Sequence, residues 1–98
     1  MALRVSWDNE AENNLEAITE FILNNWNEKI LVSFFKELNE SIEQIQKFPE
    51  SFAESNIKKE IRKCVVNKQI SMYYSITKSE IEIRALIDNR QDNNKLKL

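Results

Sequence analysis

The sequence predicts an α+β fold in which an N-terminal strand, an antiparallel two-helix hairpin and a three-stranded antiparallel meander follow one another. Apolar residues in the first half of the chain recur every three or four positions, which is the spacing of a buried helical face. From Ile57 onward they recur at every second position, as in strands with one buried face. The only proline, Pro49, stands between the two patterns and marks the end of the helical half.

The composition is that of a globular protein. Of the 98 residues, 42% are hydrophobic and 31% are charged, and this length suits one core, so we expect a single domain over residues 1–98. The chain has one cysteine, Cys64, and no histidine, which excludes an intramolecular disulfide and the common Cys/His metal sites. No apolar run reaches the length of a signal sequence or a membrane span. We expect a cytoplasmic protein with no cofactor, no metal and no membrane association.

Charge is divided unevenly along the chain, although the net charge at pH 7 is only −2. Residues 1–56 carry four basic and eleven acidic side chains, a net charge of −7. Residues 57–98 carry ten basic and five acidic side chains, a net charge of +5. The two halves should therefore present surfaces of opposite sign to a partner.

The opening of the chain predicts a short strand followed by a helix. Apolar residues alternate up to Trp7, and Asp8 suits the N-cap of the helix that follows. An apolar stripe runs along this helix and consists of Ala11, Leu15, Ile18, Ile22 and Trp26. We expect both tryptophans to be core anchors.

A turn and a second helix complete the hairpin. The segment Asn24–Asn27 predicts the turn, because asparagine tolerates a left-handed backbone and the chain has no glycine. The second helix is predicted from Glu28 to Lys47, ending before the proline. Its apolar side consists of Leu31, Phe34, Phe35, Leu38, Ile42 and Ile45. A turn this short makes the two helices antiparallel.

Three strands are predicted in the second half, from Ile61 to Asn67, Gln69 to Ile76 and Glu80 to Asp88. Asn67 suits the positive φ of a tight hairpin turn. In the third strand, the residues predicted to be buried are Ile81, Ile83, Ala85 and Ile87. The opposite face, predicted to be mostly exposed, carries Glu82, Arg84, Leu86 and Asp88 and is a candidate working surface. The polar tail from Asn89 to Leu98 is expected to be irregular.

Short motifs occur along these elements in a definite order. They are Val5-Ser6-Trp7, Phe48-Pro49, Ile61-Arg62-Lys63-Cys64-Val65-Val66, Tyr73-Tyr74-Ser75-Ile76, Ile81-Glu82-Ile83 and Asn89-Arg90-Gln91-Asp92. With these motifs in this order and spacing, the chain resembles a RelE/ParE superfamily toxin of type II toxin–antitoxin systems and is closer to ParE. The resemblance implies a bacterial toxin domain that a cognate antitoxin neutralises.

Within this superfamily, RelE-like members cut messenger RNA on the ribosome, whereas ParE-like members inhibit DNA gyrase. Cleavage through a 2′-hydroxyl needs a base, an acid and positive charge on the phosphate. The chain has no histidine and no tyrosine after Tyr74, and residues 69–76 contain no basic side chain, although nucleolytic relatives usually carry an arginine there. We therefore assign no catalytic residue and favour a non-enzymatic gyrase inhibitor. A ribosome-dependent mRNA endoribonuclease and a degenerate toxin that only binds its antitoxin remain alternatives.

The candidate target-binding residues are Arg62, Lys63, Tyr73, Arg84 and Arg90. Their cations could bind phosphate and the tyrosine, if it faces outward, could stack on a base. The alternatives are structural: Arg62 paired with Glu80 or Glu82 across the sheet, or Arg90 tying the tail to the sheet. Tyr74 is assigned to the core and Cys64 to a small buried apolar position.

The resemblance also implies the partners. The antitoxin of such a toxin is typically a segment that folds as it wraps the toxin, so a toxin–antitoxin hetero-oligomer is expected. An acidic, partly disordered antitoxin would complement the positive half of this chain. The essential target would be DNA gyrase or, in the alternative, the ribosome with its mRNA.

Overall fold

A computed structural model describes residues 3–54 and 60–89, and it has the predicted α+β architecture. The elements are β1 (Arg4–Trp7), α1 (Asn9–Asn25), α2 (Glu28–Lys47), β2 (Arg62–Val65), β3 (Ile70–Ile76) and β4 (Glu80–Asp88). The predicted bounds of α2 and β4 are confirmed, whereas β2 is shorter than predicted. No helix in the two described ranges is long and apolar enough to span a membrane.

The four strands form one sheet in the order β1-β4-β3-β2. The last three strands are an antiparallel meander, and β1 pairs in parallel with β4. The helical hairpin packs on one side of the sheet, where its apolar stripes and the sheet build the main core. Fully buried members of that core include Ile18, Phe34, Ile45, Met72 and Ile83. Strand β2 is an edge strand, and its outer edge is partly covered because Ala53 O accepts from Lys63 N–H at 3.1 Å.

The asparagines act as turn residues in a different way from the one predicted. No described residue has a positive φ, so the expectation of left-handed asparagines is wrong. Instead, the Asn27 side chain caps α2 by accepting from Ile30 N–H at 3.0 Å. The Asn67 carboxamide oxygen likewise accepts from the N–H groups of Gln69 and Ile70, at 2.9 and 2.8 Å. Their side chains, not their backbone freedom, shape these turns.

Trp26 is not a core anchor, which corrects the sequence prediction. Its side chain is 59% exposed at the tip of the helical hairpin, where α1 has already ended at Asn25. Trp7 is half-buried and packs against the main core, as predicted. The apolar stripe of α1 therefore ends at Ile22.

A β-bulge interrupts the alternation that the sequence predicts for β4. Tyr74 pairs with Ile83 and Tyr73 pairs with Ala85, so Arg84 is an extra residue with no partner opposite it. Beyond the bulge the two faces of the strand exchange. Leu86, predicted to be exposed, is buried in the main core, and Asp88 is also buried.

Candidate functional site

The two cations of β2 lie on opposite faces of the sheet. Arg62 is paired with Tyr74, which belongs to the core beneath the helices. Lys63 is paired with Tyr73, which belongs to a second cluster with Ile61. Cross-strand partners share a face, so Arg62 points to the helix side and Lys63 to the other side, called here the outer sheet face. The candidate target-binding residues Arg62 and Lys63 therefore do not share one face of the sheet.

Arg62 holds the segment that follows α2. Its Nη1 atom donates to Phe52 O at 2.6 Å and to Glu50 O at 3.2 Å. The alternative in which Arg62 pairs with Glu80 or Glu82 is wrong, because both carboxylates lie on strand β4, which β3 separates from β2. A guanidinium is suited to this position because its fixed N–H donors can satisfy two carbonyls together.

Tyr74 fastens the same segment from the neighbouring strand. Its hydroxyl donates to Pro49 O at 2.8 Å, and its ring meets that of Phe52 edge-on at 6.4 Å. The residue is fully buried, and this burial raises the pKa of Tyr74 to about 12, although the nearby Arg62 charge opposes the rise. At neutral pH the phenol is protonated and already engaged, so it is poorly placed to accept a proton in a reaction.

Cys64 is buried on the helix side, as predicted. Burial raises the pKa of its thiol, and a hydrogen bond with Ser41 only partly offsets that effect. The thiolate form needed for nucleophilic attack is thus disfavoured.

Arg84 forms an ion pair at the junction between the first strand and the first helix. Its Nε atom lies 2.6 Å from Asp8 Oδ2. Asp8 does occupy the N-cap position, but its side chain makes no capping hydrogen bond because the carboxylate turns to this arginine. The Arg84 side chain is 29% exposed, so it is partly accessible to an anionic group.

The outer sheet face displays one of the predicted side chains openly and hides another. Lys63 is exposed. Tyr73 lies on this face as expected but is only 6% exposed, packed with Ile61 and Ala85, so it offers little ring surface for stacking. Arg90 falls outside the described residues. Of the five candidate target-binding residues, Lys63 and Arg84 are the two cations that the described part of the chain leaves accessible.

Exposed apolar residues on the helices were missed at the sequence level. Val32 is 65% exposed and Phe35 is 38% exposed, both on α2. The sequence pattern placed Phe35 on the buried side of the helix, whereas Val32 lies off that apolar stripe. An apolar residue off the stripe is the signal in the sequence that could have identified this exposed surface.

In the described ranges, no group of three or more Cys, Asp or Glu side chains is arranged to hold a metal ion.

Comparisons with known proteins agree with this geometry. The family model described as the ParE toxin of type II toxin–antitoxin system, parDE, matches residues 5–93. No curated protein sequence matches the chain. Among solved structures, the chromosomal ParDE toxin–antitoxin system from P. aeruginosa superposes with a TM-score of 0.74 at 16% identity, covering 89% of this chain and 96% of that chain.

Two further structures share the fold at low identity. The YoeB dimer from Staphylococcus aureus has a TM-score of 0.60 at 15% identity, covering 89% of this chain and 97% of that chain. The E. coli DinJ-YafQ toxin-antitoxin complex has a TM-score of 0.57 at 10% identity, covering 92% of this chain and 96% of that chain. At these identities the similarity concerns the fold alone.

Proposed function

The chain belongs to the ParE toxin family of type II toxin–antitoxin systems, and we propose that it arrests growth by binding an essential target, with DNA gyrase as that target. One observation carries the choice of binding over cleavage. Arg62, the cation of the strand motif, is committed to the carbonyls of Phe52 and Glu50, beside a Tyr74 hydroxyl that is itself committed to Pro49. The side chains that could have served chemistry on this part of the sheet hold the fold together instead.

The proposed target contacts are Lys63 and Arg84, the two accessible cations among the candidate target-binding residues. Lys63 stands on the outer sheet face, and the side chain of Arg84 is 29% exposed although it is paired with Asp8. Such cationic groups suit an acidic protein surface or a phosphate. They contribute mainly to the rate and specificity of association. Arg90 lies within the stretch that the family model matches and is proposed as a third contact.

The partner that neutralises the toxin is proposed to be a cognate antitoxin, in a hetero-oligomer within the cytoplasm. The P. aeruginosa and E. coli relatives in the comparison are themselves toxin–antitoxin systems, which supports the proposal. An acidic antitoxin segment would suit the positive second half of this chain.

Purified gyrase tests the proposed target. Antitoxin-free protein should inhibit DNA supercoiling, and the pair Lys63→Gln and Arg84→Gln should weaken inhibition by about tenfold, since charged contacts at an interface are typically worth this much. The matched control is Lys29→Gln with Lys47→Gln, which removes the same charge from exposed positions of α2.

Two results would count against the proposal. Gyrase is the wrong target if the antitoxin-free protein changes neither supercoiling nor the formation of the cleavage complex. The proposed surface is wrong if the control pair weakens inhibition as much as the test pair does. Growth that continues unimpeded during strong expression would instead indicate a degenerate toxin.

A further inference from the structure

An apolar groove lies between the two helices, close to β1. It is a depression of about 550 Å³, called here the interhelical groove. Its apolar lining is Trp7, Leu15 and Phe35. Val32, one helical turn before Phe35, extends the apolar surface along α2 and is 65% exposed.

Acidic side chains border this groove along one wall. Glu12, Glu16 and Glu20 line it and follow one another at every fourth position of α1, so they form a row about 12 Å long on one helix face. In the part of the chain that the structure describes, none of these three carboxylates forms an ion pair. The groove thus combines an apolar floor with unpaired negative charge.

The polar group on the groove floor gives a partner little to bind. The Thr19 hydroxyl, which also lines the groove, donates to Leu15 O at 2.8 Å within α1. Recognition in this groove therefore depends on apolar contact in the centre and on charge along the wall.

We infer that the interhelical groove receives a segment of the partner protein in which apolar side chains are flanked by lysine or arginine. Apolar anchors would cover Phe35 and Leu15, which lie in the groove. A neutral segment over the three unpaired carboxylates would remove them from water without a partner, and an acidic segment would repel them. Lysine or arginine side chains at matching spacing would instead pair with them and offset the loss of water. The segment in this groove is consequently opposite in charge to the acidic segment proposed for the sheet half.

The inference rests on the proposed function in one respect, namely that the partner is the antitoxin. It adds the location of one docking segment on the toxin and its chemistry. The proposed target contacts Lys63 and Arg84 do not line this groove, so the gyrase assay and the groove assay use different residues and a failure of either proposal can be told apart.

Two helical peptides of equal length test the inference on the purified full-length chain. Both peptides have the same apolar face of leucines. The lysine peptide has lysines on both sides of that face, and the glutamate peptide has glutamates at the same positions. Calorimetric titration should detect binding of the lysine peptide and none of the glutamate peptide. Binding should weaken roughly tenfold in Phe35→Ser, and similarly in the pair Glu16→Lys and Glu20→Lys.

The control pair is Glu40→Lys and Glu43→Lys, which makes the same charge change at exposed positions of α2 outside the groove. This pair should bind the lysine peptide as the unchanged chain does, and circular dichroism should show all variants folded. Equal binding of both peptides, binding of neither, or an equal loss in the control pair would overturn the inference. An equal loss in the control pair would mean that the lysine peptide binds to the overall negative charge of the helices and not to the groove.

Discussion

Replacing Arg62 with alanine should destabilise the protein far more than it impairs target binding. The substitution removes both hydrogen bonds from Nη1, at 2.6 Å to Phe52 O and 3.2 Å to Glu50 O. A hydrogen bond to a charged group contributes about 1.5–3 kcal/mol, but the Glu50 bond is exposed and contributes less. The free energy of unfolding should therefore fall by about 2–3 kcal/mol, most of it from the part-buried Phe52 bond.

Urea and thermal unfolding, followed by circular dichroism, measure this loss. In a chain of 98 residues, it corresponds to a melting temperature lower by roughly 8–20 °C. Lys63→Ala is the matched control, because its side chain is exposed and its loss should change the free energy of unfolding by less than about 0.5 kcal/mol.

The role assigned to Arg62 predicts opposite outcomes for the neighbouring cations in the gyrase assay. Per folded molecule, Arg62→Ala should inhibit supercoiling nearly as well as the unchanged chain, whereas Lys63→Ala should inhibit it less. Arg62 does not have this structural role if Arg62→Ala leaves the melting temperature unchanged, or if it abolishes inhibition in molecules that remain folded.

The further predictions concern three side chains, those of Tyr74, Trp26 and Arg84. Tyr74→Phe should lower the free energy of unfolding by about 1–2 kcal/mol, since it leaves Pro49 O without its partner. The pKa of Tyr74 is raised to about 12 in the folded protein, so the protonated phenol favours the folded state. The free energy of unfolding should therefore decline as the pH rises from about 10 to about 12. Urea titrations at these pH values should show a smaller decline for Tyr74→Phe. Trp26→Ser should change the melting temperature little, because this side chain is 59% exposed; a large fall would contradict its placement at the hairpin tip. Arg84→Gln should cost less than about 1 kcal/mol, because the Asp8 ion pair is partly exposed; a greater loss in urea unfolding would mean the arginine is mainly structural.

The elements that the sequence predicted best are those with local signals. The second helix begins at a capping asparagine, Asn27, and ends just before Pro49, so both of its ends are determined by residues a few positions away. The recurrence of apolar residues at every second position likewise predicted β4 from Glu80 to Asp88. Such signals concern neighbours in the chain, and a single sequence displays them.

Features that depend on distant parts of the chain could not be predicted in this way. The bulge at Arg84 arises from the pairing of β3 with β4, and it reversed the predicted exposure of Leu86. The partners of Arg62 are backbone carbonyls, which no side-chain pattern reveals. Trp26 continued the apolar spacing of α1 but follows the last residue of that helix, so the spacing no longer determined its direction.

The candidate site illustrates the same limit. The sequence identified five residues and correctly placed Tyr74 and Cys64 in the core, but it could not show that Arg62 and Lys63 serve opposite faces in different roles. Nor could it show the interhelical groove, because the groove joins β1, α1 and α2.

Mapping of messenger RNA ends after brief expression, in cells whose growth has stopped, tests the central claim that this toxin binds its target and does not cut RNA. If the toxin binds without cutting, growth should stop and no new mRNA ends should appear in register with codons. New ends at codon-registered positions, lost in Arg62→Ala and Arg84→Ala variants that remain folded, would contradict it and establish a ribosome-dependent endoribonuclease.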